Sequence, residues 1–182
     1  MEISVGAGSL KKKKKEKNSM NLEGIKGVIF DLDGTLVESS LDFSSMRETI
    51  GCPQNEDILT FVDAIECEKA KSDAHNIILQ HEIEVAQNAK WINVGRAMVE
   101  KAQQQKVPMA IVTRNCHEAT AIKLANNDTP IDYVLTREDA PAKPDPTALL
   151  MVATTWQLQP EDCLYVGDFI YDQQAAENAG MQ

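Results

Sequence analysis

The chain has 182 residues, of which 43% are hydrophobic and 25% charged, with a net charge of −10 at neutral pH. That is enough for one packed domain with a modest insertion. The acidic balance makes the body a poor nucleic-acid binder, and no apolar run approaches the roughly 20 residues that span a bilayer.

The charge is unevenly divided. Residues 1–21 carry six lysines and two glutamates, or +4, which leaves −14 on the remainder. Within this stretch Lys11 to Lys15 repel one another and are flanked by Gly, Ser and Asn, so it is expected to be a disordered basic tail. It reads either as a plain extension, with Met20 as a possible natural start, or as an electrostatic arm for anionic surfaces. The lysines have no apolar segment behind them and do not form a secretory signal. Cys52, Cys67, Cys116 and Cys163 contain no CxxC pair and have no zinc spacing. Reduced thiols and a cytoplasmic location are expected.

A short apolar strand is predicted at residues 27–31. From residue 39 to about 91 the pattern is helical, without a strand candidate. Asp42 can cap a short helix that ends at Gly51. Ile58, Leu59, Val62 and Ile65 have helical spacing within residues 56–65. Leu79, Ile83 and Ala86 mark one face of a longer helix. Alternation then resumes: a helix over 94–105, a buried strand over 109–113, and a helix over 117–125 with Asn126-Asn127 as a left-handed exit. A strand follows at 133–136, and then a helix capped by Asp145, with Pro146 at its first position, running to about residue 158. The last strand covers 164–167 and the last helix 171–179, with Gly180 as its C′ residue. Strands alternating with helices predict an α/β fold, a Rossmann-like doubly wound parallel sheet covered on both faces, with a small all-helical cap inserted after the first strand.

In such a sheet the carboxyl ends of the strands lie together. Four features fall there: Asp31 and Asp33 after the first strand, Thr113 after the second, Lys143 before a capped helix, and Asp168 with Asp172 after the last strand. Acids in this number suit magnesium, which takes oxygen ligands. The Thr113 hydroxyl and the Lys143 ammonium suit phosphate oxygens. A carboxylate can attack phosphorus to give an acyl-phosphate.

Through Asp31-Leu-Asp33-Gly-Thr-Leu, Val112-Thr113-Arg114-Asn115, Ala142-Lys143-Pro144-Asp145-Pro146 and Gly167-Asp168-Phe-Ile-Tyr-Asp172, the chain resembles the haloacid dehalogenase-like superfamily from about residue 25 to 181. The resemblance implies Asp31 as nucleophile and Asp33 as the acid that protonates the leaving oxygen and then activates water. It implies magnesium held by Asp31, the Asp33 carbonyl oxygen and Asp168, with Asp172 as a further ligand or as an acid that orients the others. Thr113 and Lys143 would bind the phosphoryl oxygens. Within the family an acid at Asp33 favours phosphate esters over carbon–halogen or phosphonate substrates. The helical insert resembles the cap of phosphoglycolate phosphatase-like members, though shorter, so a more open mouth is expected.

Arg114 either contacts a second anionic group of the substrate or forms a surface or inter-domain ion pair. Arg47, on the first cap helix, either faces the mouth or is simply exposed. His75 and His81 lack metal-binding spacing, His117 suits a helix start, and Cys116, Trp91 and Trp156 suit packing. The expected organisation is a basic tail at 1–21, a core at 22–38 and 93–182, and a cap at 39–92. The family normally continues beyond residue 182 into another strand, so the strand ending at Asp168 is expected to have an unpaired edge. The reading is a magnesium-dependent phosphatase acting on a small phosphorylated metabolite, with neither membrane nor nucleic acid as partner and the oligomeric state left open. The alternatives are a phosphomutase acting on a sugar phosphate and a non-catalytic binding protein.

Overall fold

The computed structural model describes residues 22–38 and 40–182; the basic tail expected at residues 1–21 lies outside them. Four parallel strands form the sheet: β1 (Gly27–Phe30), β2 (Met109–Val112), β3 (Tyr133–Leu135) and β4 (Cys163–Val166), in the order β3-β2-β1-β4. β1 is buried at all four positions, which its Gly-Val-Ile-Phe run permits because neither face has to meet water. Seven α-helices accompany the sheet among the described residues. α1 (Phe43–Ile50), α2 (Ile58–Asp63) and α3 (Glu68–Ala86) form the insert, and α4 (Asn93–Gln104) and α5 (His117–Asn126) flank β2 in sequence. α6 (Thr147–Trp156) precedes β4 and α7 (Ile170–Ala179) follows it.

Side-chain alternation along β1 divides the core into two layers. Ile29 packs with Ala110, Leu149, Val152, Tyr165, Ala175 and Ala179, on the face covered by α6 and α7. Val28 and Phe30 pack with Ile111, Val99 and Ala102 on the opposite face, under α4, with Leu124 of α5 beside them. This is the doubly wound α/β architecture expected from the sequence.

The helical insert has its own small core of Met46, Cys52, Ile58, Val62, Ala74 and Ile78. Asp42 and Asp57 cap α1 and α2, accepting from the N–H groups of Ser45 and Thr60 at 2.9 and 3.1 Å. Entry and exit run side by side: the Glu38 N–H donates to the Lys90 carbonyl and the Ile92 N–H to that of Leu36, both at 2.8 Å. Trp91, expected only to pack, anchors this junction. Its backbone N–H and its indole N–H donate to the side chain and carbonyl of Asn127 at 2.9 and 2.5 Å.

Several local expectations shift. The left-handed residue after α5 is Asp128 (φ 45°), whereas Asn127 has φ −114°. Pro146 precedes α6 instead of opening it, while the Asp145 carboxylate accepts from the Thr147 N–H at 2.8 Å. The buried stripe of α3 is Ala74, Ile78, Glu82 and Ala86, so an acid takes the position next to the expected Ile83. Glu82 can be buried because Arg137 meets it at 2.5 Å. Beside β4, where an unpaired edge is expected, Gln182 pairs in the parallel manner. Its N–H donates to the Cys163 carbonyl at 3.1 Å, and its carbonyl accepts from the Tyr165 N–H at 2.8 Å.

Candidate active site

The carboxyl ends of β1, β2 and β4 surround one ammonium group. Lys143, on the loop before α6, is almost fully buried. Its Nζ lies 2.7 Å from Asp31 Oδ1, 2.7 Å from Asp172 Oδ1, 3.0 Å from the Val112 carbonyl and 2.5 Å from the Tyr165 hydroxyl. Asp31 sits one residue past β1 and is fixed there by its N–H, which donates to the Val166 carbonyl at 2.8 Å. Burial pushes its carboxyl up to about 6; Lys143 opposes that rise and Asp172 adds to it.

Asp172 supports the cluster from the first turn of α7. Its Oδ1 accepts from Lys143 and from the Tyr165 hydroxyl (3.0 Å), and its Oδ2 accepts the N–H groups of Asp168 and Phe169 at 3.1 and 3.0 Å. Four donors meet the four lone-pair positions of one carboxylate. Tyr165 is held as the neutral phenol: burial, then the charges of Asp31 and Asp172, push its pKa well above the ordinary value.

Close approach of the loops depends on two glycines. A Cβ at Gly34 would lie 2.2 Å from Asp168 Oδ2, and Gly34 already has φ +77°. A Cβ at Gly167 would lie 2.5 Å from the Asp172 side chain. One carboxylate oxygen from each of Asp31, Asp168 and Asp172 lies within 4.8 Å of the others. Such hard, negatively charged oxygen donors fit a small divalent cation. Burial, then the Asp172 charge, raises the Asp168 carboxyl above its ordinary value, while Lys143 opposes the rise.

Thr113 is buried just past β2 and its Oγ1 accepts the Asn115 N–H at 3.1 Å. The Asp33 carboxylate is not among the three clustered acids. It is held by Lys123 Nζ at 2.7 and 2.8 Å and by Asn115 Nδ2 at 2.7 Å. Arg114 takes the inter-domain role: its guanidinium pairs with Asp57 Oδ1 at 2.6 Å and lies 4.6 Å above the centre of the Tyr171 ring. Burial pulls the Asp57 carboxyl upward, but the bonds from Arg114 and Thr60 outweigh it, and its pKa falls below the ordinary value. Arg47 Nη2 donates to the Glu56 carbonyl at 3.1 Å, inside the insert.

The sequence reading missed Lys123, Tyr165 and the Glu82–Arg137 pair. Lys123 had a visible signal, since it lies three and four residues beyond Thr120 and Ala119 on the one buried stripe of α5. Tyr165 shares its strand face with Cys163.

Residues 39–182 match the family model of the haloacid dehalogenase-like hydrolases. The chain belongs to that family. Asp31 and Asp33 lie ahead of the matched stretch, so their place in the site rests on the geometry above. The uncharacterized hydrolase YOR131C of Saccharomyces cerevisiae is 33% identical to this haloacid dehalogenase-like chain over 168 residues, covering 87% of it and 76% of the yeast protein. The pyrophosphatase PpaX of Bacillus mycoides is 27% identical over 176 residues, covering 86% of the chain and 80% of PpaX. Among solved structures, a predicted phosphoglycolate phosphatase from Haemophilus somnus superposes with a TM-score of 0.67 at 22% identity, over 88% of this chain and 84% of that one. That likeness speaks for the fold alone. Among the described residues no helix is long and apolar enough to cross a membrane.

Proposed function

We propose that this haloacid dehalogenase-like hydrolase is a magnesium-dependent phosphatase of small phosphorylated metabolites that works through an aspartyl-phosphate on Asp31. One observation carries this reading: Asp31, Asp168 and Asp172 bring their oxygens within 4.8 Å of one another, with Lys143 bonded to two of the three. The name of PpaX, a pyrophosphatase, supports phosphorus–oxygen cleavage as chemistry this family performs.

Asp31 and Asp168 would hold the ion, with the Asp33 carbonyl oxygen as a further donor. Asp172, with all four lone-pair positions taken, would orient them. When bound, the magnesium supplies positive charge that offsets the negative phosphoryl group. In the first step an Asp31 oxygen bonds to phosphorus, the ester P–O bond breaks, and Asp33 gives its proton to the leaving oxygen. In the second step a water oxygen bonds to phosphorus as Asp33 takes its proton. The acyl-phosphate O–P bond breaks, returning its electron pair to Asp31 and releasing inorganic phosphate. Lys143 and Thr113 would bind the phosphoryl oxygens, and the charge Lys143 places there is the stabilisation phosphoryl transfer needs most.

The test is a panel of phosphorylated metabolites and an aryl phosphate, assayed with and without Mg²⁺ for the wild type and Asp31→Asn. Metal-dependent phosphate release by the wild type, lost in Asp31→Asn, is expected. Equal rates for the two proteins would remove Asp31 from its role, and magnesium binding without hydrolysis of any ester would favour a binding protein.

A further inference from the structure

Lys123 has no solvent exposure: it lies with Ala119 and Thr120 on the buried stripe of α5, although a lysine ordinarily keeps its ammonium in water. Its ammonium ends on the two oxygens of Asp33, at 2.7 and 2.8 Å. The Asn115 side-chain amide adds a third bond at 2.7 Å, to Oδ2 only. Three hydrogen bonds, two from Lys123 of α5 and one from Asn115 of the loop before it, fix both the plane and the rotation of this carboxylate, whose own backbone follows β1. The count of lone pairs is unequal. Oδ2 accepts two hydrogen bonds and is filled, whereas Oδ1 accepts one and keeps an open position. Lys123 is itself held at its backbone, where its carbonyl accepts from Asn127 Nδ2 at 2.7 Å. Asn127 is also the residue that anchors Trp91 at the exit of the insert.

We propose that Lys123, together with Asn115, positions Asp33 so that Oδ1 is the oxygen that exchanges the protons of the reaction. Lys123 is a positioning residue: its ammonium bonds the Asp33 carboxylate and acts through it. The proposal rests on the phosphatase reading above. It differs from a purely structural role in one respect. A misplaced Asp33 impairs proton transfer selectively, while a loosened fold impairs every step.

2,4-Dinitrophenyl phosphate separates the two. Its leaving group needs no proton, so the bond from Asp31 to phosphorus forms without help from Asp33. Release of phosphate still requires Asp33 to take the proton from water. For Lys123→Met the expected result is a rapid burst of about one dinitrophenolate per chain, followed by turnover on the order of 100-fold slower than wild type, as lost general-base catalysis predicts. Asp33→Asn should give the same trace, and Asn115→Ala, which strands no buried charge, a weaker form of it. Turnover of Lys123→Met within about threefold of wild type would overturn the proposal, as would slow turnover without a burst in a folded protein. Should Lys123→Met fail to fold, Asn115→Ala decides: a burst with slowed turnover supports the proposal, and a wild-type trace overturns it. A wild-type chain inert towards this ester would instead overturn the phosphatase reading, and the positioning role with it.

Discussion

Replacing Arg137 with methionine removes one half of an ion pair that joins the insert to the core. Arg137 Nη1 lies 2.5 Å from Glu82 Oε1, and the two side chains are 15% and 7% exposed. Burial lowers the Arg137 pKa, but the hydrogen bond and charge of Glu82 outweigh it and raise the value. Once Arg137 is gone, Glu82 keeps the Cys116 N–H at 3.4 Å and the Cys116 thiol. Stranding a buried charge costs about 3–5 kcal/mol. The remaining exposure and the surviving N–H reduce that to about 2–4 kcal/mol. For a chain of this size each kcal/mol lowers Tm by roughly 2–4 °C, so a fall of roughly 4–16 °C is expected. Thermal and urea unfolding of Arg137→Met, Glu82→Leu and the double variant measure it. The double variant should recover at least half of the single loss, because neither charge is then left unpaired. A loss of less than about 0.5 kcal/mol in Arg137→Met, or simple additivity in the cycle, would refute this account of how α3 is held.

Gly34→Ala should abolish the stabilisation that Mg²⁺ gives, since its Cβ would lie 2.2 Å from Asp168 Oδ2 in a backbone with φ +77°; unchanged magnesium-induced Tm shifts would contradict this. The Asp31 carboxyl moves from the ordinary 3.8 to about 6, chiefly by burial. The stability this proton gives the metal-free chain is therefore full below 3.8 and lost as pH rises through 6. Magnesium requires the ionised form, so the Tm shift it produces should be large at pH 7.5 and small at pH 5, and a shift equal at both would count against it. Cys67 is exposed while Cys52, Cys116 and Cys163 are buried. Burial first of all raises the Cys116 thiol to about 11. One thiol should thus react rapidly with Ellman's reagent in the native protein and four after unfolding; two or more fast thiols would refute the burial of Cys52, Cys116 and Cys163.

The core was legible because its signals are local. Each strand is a short apolar run, each cap lies within three residues of its helix, and Gly51 and Gly180 end α1 and α7 in left-handed conformations as their sequence positions suggest. Asp31, Lys143, Asp168 and Asp172 could be grouped because the carboxyl ends of parallel strands must lie together. Two of the contacts that failed to show join residues 55 and 90 positions apart. Glu82 reads as a solvent-facing acid until Arg137 arrives, and Lys123 as an exposed lysine until Asp33 does. Arg114 admitted two partners on sequence alone, and the choice of Asp57 depends on how α2 sits over the loop after β2. The exit of α5 was misplaced by a residue or two because Asn and Asp tolerate the left-handed region alike.

The role of Asp31 as nucleophile is tested most directly by trapping its ester. The enzyme is mixed with Mg²⁺ and an aryl phosphate, quenched with borohydride during turnover, and digested for mass spectrometry. Reduction of an acyl-phosphate at residue 31 leaves homoserine there, and that mass change is predicted for the wild type and absent from Asp31→Asn. Sustained turnover with residue 31 unaltered would contradict covalent catalysis by this carboxylate.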